Sequence, residues 1–144
     1  MIKKIMICVL IIAHTGPALY ADSLENAADI RRLTDQAMSR TLNGEFEEAI
    51  NVLEKYSDID TEQINVMKAQ MREEKVKIIG TYGNVLETLF LKEEIVGNCL
   101  LRMRYLSRHE RYVLVWEFIF FRGKENWKLV NYYFHDKIEE LFDS

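Results

Sequence analysis

The stretch Tyr112-Val113-Leu114-Val115-Trp116-Glu117-Phe118-Ile119-Phe120-Phe121 decides how this chain is read. β-Branched and aromatic residues fill nearly every position, the composition of a strand rather than a helix. Period-two alternation puts Tyr112, Leu114, Trp116, Phe118 and Phe120 on one face, and Val113, Val115, Glu117, Ile119 and Phe121 on the other. Both faces are largely apolar. A strand with one side in water alternates with polar residues, so this pattern predicts cover above and below.

Working outward, the same period predicts strands over 85–95, 99–106 and 127–134, joined by Gly97-Asn98, by 107–111 and by 122–126. Links this short cannot carry helical crossovers, so four antiparallel neighbours in a meander are expected. Upstream the period changes to 3.6. Asp22 and Glu25 have capping-box spacing ahead of Ala27, Ile30, Leu33, Ala37 and Met38, and Asn43-Gly44 ends that run. Phe46, Ala49, Ile50 and Leu53 share one face of a second helix. A third, capped by Asp60 or Thr61, turns Ile64, Met67, Met71, Lys75 and Ile78 inward and closes at Gly80 and Gly83. Asp136 with Glu139 three residues on predicts a short terminal helix carrying Ile138, Leu141 and Phe142.

At the N-terminus, Lys3 and Lys4 precede an apolar run over 5–13, which Gly16 and Pro17 break before small residues ending at Ala21. This is the grammar of an export signal over 1–21, with cutting after Ala18 an alternative, and it predicts a secreted or periplasmic protein. The run is less than half of the roughly 20 residues a membrane span needs, and no span is expected once the signal is removed. The remaining domain, 22–144, has 123 residues (144 less 21), the size of one domain with one core. It carries 17 basic and 23 acidic side chains, a net charge of −6, interspersed rather than blocked, which disfavours nucleic acid as a partner. Cys8 leaves with the signal, so Cys99 has no intramolecular partner. Its pattern fits a small apolar strand residue, with a reactive thiol the alternative.

Chemistry-bearing residues are sparse. A hairpin centred on His109-Glu110 would set Arg102 opposite Glu117 and Arg104 opposite Val115, and a following loop over 123–126 would set Tyr132 opposite Glu117. Such an Arg, Glu and Tyr cluster reads as a structural salt bridge, as the polar end of a ligand site, or as a catalytic group, in that order. The order follows because an adjacent arginine keeps a carboxylate ionised, whereas a general base needs its pKa raised. His14 leaves with the signal and His109 falls in a turn. His135 beside Asp136 resembles a base with its orienting carboxylate, although Asp136 serves better as a helix cap. No metal-ligand spacing, Gly-flanked serine or phosphate loop is present in the sequence, and neither metal nor cofactor is expected.

The segments Gly44-Glu45-Phe46-Glu47-Glu48-Ala49, Trp116-x-Phe118-x-Phe120-Phe121 and Trp127-Lys128-Leu129, together with the order of helices then meander, resemble the nuclear transport factor 2-like superfamily, the cystatin-like α+β cone. The likeness runs over about 24–135. It implies an α+β fold in which three N-terminal helices pack on a curved four-stranded antiparallel sheet, a cavity lies between them, and homodimers form through the sheet. The superfamily's enzymes set Asp, Tyr or His in that cavity, and no such set can be matched here residue by residue. The expectation is therefore a non-enzymatic binding or accessory domain. It would hold a small apolar ligand in the cavity, or present a sheet face to a second copy or an envelope partner. Arg102, Arg104, Trp116, Glu117, Tyr132 and His135 are the candidate ligand-binding residues. The competing expectation is a small lyase or isomerase using Glu117, Tyr132 or His135.

Overall fold

The structure, a computed structural model, describes residues 23–143. Residues 1–21, read above as an export signal and containing Cys8 and His14, lie outside the described residues, as does Asp22. Three helices, α1 (Ala27–Leu42), α2 (Phe46–Glu54) and α3 (Thr61–Tyr82), precede four strands, β1 (Val85–Val96), β2 (Leu100–His109), β3 (Val113–Arg122) and β4 (Trp127–His135). The strands form one open antiparallel sheet in the order β1-β2-β3-β4, so the expected α+β class and meander are both present.

Two of the three helices, α1 and α3, start where a side chain takes up a free backbone N–H. In α1 that residue is Asn26, whose Oδ1 accepts from the Asp29 N–H at 3.0 Å, while Asp29 accepts in return from the Glu25 N–H at 3.0 Å. The start therefore lies later than an Asp22 cap would put it. Leu24 accounts for the difference, since it is buried and bridges Trp127 at the sheet edge, holding its segment extended. Asp60 caps α3 as expected, accepting from the Gln63 N–H at 2.9 Å. Of the predicted inward stripe of α3, Ile64, Met71 and Ile78 are buried, whereas Lys75 is exposed.

The helices cover one face of the sheet. Trp116, Phe118 and Phe120 meet Phe46, Ile50 and Leu53 there, with Ile30, Ala37 and Met38 of α1 in the same core. Trp116 stacks on Phe46 and on Tyr132 with centroids 5.8 and 6.0 Å apart, and Phe134 closes to 4.9 Å. These rings occupy the middle of the space between helices and sheet.

Two turns decide the register. Gly97 and Asn98 both have positive φ (59° and 56°), the geometry that suits a tight hairpin, and Cys99 sits half-exposed in that turn rather than within a strand. At the other end β2 continues through His109, and the His109 N–H donates to the Tyr112 carbonyl at 2.8 Å around a turn made by Glu110 and Arg111. Arg111 then reaches α3, donating to the carbonyls of Ile79, Gly80 and Thr81. The predicted C-terminal helix is a single 3₁₀ turn, Glu139–Leu141, without a side-chain cap. Asp136 does not cap it and accepts from the Tyr82 hydroxyl at 3.1 Å instead.

Candidate functional site

The hairpin turn lies two residues' worth of register away from the expected centre, so Arg104 rather than Arg102 stands opposite Glu117, and Arg102 stands opposite Ile119. The parity is unchanged and all three still share a face. In β4 the parity does change. Phe120 pairs with Leu129 but Ile119 pairs with Asn131, which leaves Val130 as an extra, unpaired residue. Beyond this bulge Glu117 faces Tyr133, not Tyr132, while Tyr132 and Phe134 turn into the core against Phe118 and Trp116.

The six candidate residues therefore divide between two faces. Arg102, Arg104, Glu117 and His135 come together on the face away from the helices, whereas Trp116 and Tyr132 lie in the core. An arrangement joining Glu117, Tyr132 and His135 is not assembled. Tyr133 and Glu94 complete the outer cluster in their place.

Glu117 is its centre and is only 3% exposed. Its Oε1 accepts from Arg104 Nε at 2.8 Å and lies 3.5 Å from Arg102, and its Oε2 lies 3.5 Å from His135 Nε2. Arg102 also donates to Glu94 at 2.8 Å, and Lys92 lies 3.7 Å from the same carboxylate. Burial pushes the Glu117 carboxyl up, but Tyr133, Arg104 and Arg102 outweigh it, and the net shift is below the usual carboxylate range. A carboxylate held ionised in this way orients partners and does not serve as a proton acceptor near neutrality. His135 has its Nδ1 occupied as acceptor from the Lys137 N–H at 3.2 Å, so Asp136 does not orient it.

The C-terminal turn lies along this face. Glu140, Leu141 and Asp143 border a cleft of about 400 Å³ whose other wall is Leu91, Lys92, Glu94, Arg102 and Arg104. Three cations meet three acids there. With Val115 fully buried, the middle of β3 is covered on both sides, as the double apolar pattern predicted. Past the turn, the face opens to solvent in a row formed by Val96, Leu100 and Phe121 on three adjacent strands, 63%, 41% and 42% exposed.

A second polar group went unseen in the sequence. Trp116 Nε1–H donates to Ser107 Oγ at 2.7 Å, Ser107 lies 2.9 Å from His109 Nε2, and His109 Nδ1 lies 3.0 Å from the Gly83 carbonyl. Because a carbonyl only accepts, Nδ1–H donates to Gly83, and in the neutral imidazole Nε2 is then the acceptor for the Ser107 O–H. A Ser–His contact of this kind is the geometry of an activated nucleophile. Here both residues are buried and Oγ already accepts from Trp116, so the chain ties the core together. The signal for it was present: Ser107 and His109 continue the inward parity of Met103 and Tyr105.

No family model matches the chain, and neither a curated protein nor a solved structure matches it. Among the described residues no cluster of His, Cys, Asp or Glu is placed to hold a metal, and no helix is long and apolar enough to cross a membrane.

Proposed function

We propose that this protein is an exported accessory domain of the cone type, non-enzymatic, whose outer sheet face docks a protein partner, most simply a second copy of itself. The observation that carries this reading is the exposed row Val96, Leu100 and Phe121, continuous across three strands and bordered by the ionic network around Glu117. Exposed apolar side chains gathered in one row, rather than scattered singly, mark an interaction surface. The balance of charges beside them suits self-association, because two like faces meet without a single-sign field to oppose them. A small apolar ligand between helices and sheet has less support, since the stacked rings of Trp116, Phe46 and Tyr132 occupy the middle of that space.

Sedimentation equilibrium on the chain lacking residues 1–21 tests the reading. The expected result is a concentration-dependent dimer that Phe121→Lys combined with Leu100→Lys shifts to monomer, with unchanged circular dichroism. A monomer at every concentration, with no higher species in native mass spectrometry, overturns the self-association form.

A further inference from the structure

The β4 edge of the sheet lies in a groove, and the chain itself already uses the first part of that edge. Leu24 bridges Trp127 and Ser57 bridges Leu129, with the Trp127 N–H donating to Leu24 at 2.9 Å and the Leu129 N–H to Tyr56 at 2.8 Å. The Asp58 N–H donates to the Leu129 carbonyl at 3.2 Å, so Leu129 turns both its backbone groups away from β3. After the bulge Tyr132 has the same orientation, because its N–H donates to the side chain of Asn131 at 2.9 Å and not to a strand. Alternation gives Phe134 that orientation too. Among the described residues no backbone group bonds to the edge beyond Leu129.

The chain's own edge segment leaves at Ile59, two residues before α3 begins at Thr61. From there α3 and β4 form the two walls of a groove made of two successive clefts that share Met67. The first, about 610 Å³, is lined by Ile59, Val66 and Val130, with Asp60 and Glu62 at its rim. The second, about 190 Å³, has Met71, Tyr132 and Phe134, with Glu74 beside them. Every charged residue in the two linings is acidic. Methionine is a side chain that adapts to varied apolar partners.

We propose that this groove takes an extended, cationic segment of a partner protein, added as a strand to the Tyr132–Phe134 edge in line with residues 56–58. Main-chain hydrogen bonds to the Tyr132 carbonyl and to Phe134 hold such a segment, with the Tyr132 N–H exchanging its Asn131 side-chain partner for the incoming strand; apolar side chains at alternate positions rest on Met67 and Met71, and basic ones face Asp60 and Glu62. The surface is separate from the outer sheet face, so the outcome does not depend on whether the chain dimerises.

The probe is the blocked hexapeptide acetyl-(Lys-Val)₃-amide, titrated into nitrogen-15-labelled chain and followed by amide shifts. The expected result is saturable shifts at 67–71 and 132–135. Binding is expected to weaken by about ten-fold or more when the peptide is N-methylated along its bonding edge, when glutamate replaces lysine, or when the protein carries Glu62→Lys with Val66→Lys. Both substituted positions are exposed, and an unchanged spectrum elsewhere shows that the fold survives. Three results overturn the proposal: no saturable shift by about 1 mM peptide, shifts confined to the outer sheet face, or equal binding of the N-methylated peptide.

Discussion

Ser107 satisfies two neighbours with one hydroxyl, accepting from Trp116 and donating to His109, in a place where neither could turn to water. Removing it leaves an indole N–H and an imidazole nitrogen buried without partners. Ser107→Ala is expected to cost about 2 kcal/mol, read as a lower urea midpoint with unchanged m-value. Glu117 shows the same logic with charge. Its pKa in the folded chain is depressed below the unfolded value, so its stabilisation is complete above the unfolded pKa and is lost as pH falls through the folded one. Unfolding free energy should decline below about pH 5, and Glu117→Gln should flatten that decline. At neutral pH the same substitution strips the half-hidden Arg104 of its partner and should cost about 3 kcal/mol. Urea titrations of both proteins across acid pH check the slope and the cost together.

At the scale of elements, the join between α3 and β1 is clamped by the β2–β3 turn. Gly83 has φ of +85°, and a Cβ built there would lie 2.4 Å from Glu110 Oε2 and 2.7 Å from Glu110 Cβ. That same carboxylate accepts the Asn84 N–H at 2.9 Å, so it cannot swing away without losing the bond. Gly83→Ala is expected to destabilise by about 1–3 kcal/mol, seen as a lower thermal midpoint by circular dichroism. The elements themselves were largely legible: residues such as Phe46, Ala49, Ile50 and Leu53 repeat at the helical period and all are buried. The β2–β3 turn was not, because Ser107 and His109 are polar residues of the kind that usually end a strand, and only their bonds to Trp116 and Gly83 reveal them as inward-facing.

Across the whole molecule, the sequence pattern resolved the layers but not the faces. β3 announced cover on both sides because its own side chains say so, and it is met by α1 and α2 on one face and by the burial of Val115 and Glu117 on the other. Of the six candidate residues, Arg102, Arg104 and Glu117 share the outer face by alternation alone, whereas His135 arrives there and Tyr132 leaves it through Val130, which carries no mark of a bulge. A glycine would have drawn the eye; a valine at that position reads as one more strand residue. The length of β4 is thus more tightly bound than its composition. Over generations the half-open side of residue 130 can exchange its chemistry with little penalty, yet deleting it would drive Tyr133 and His135 inward and expel Tyr132 and Phe134. Gaps within this strand are a form of drift that the architecture forbids.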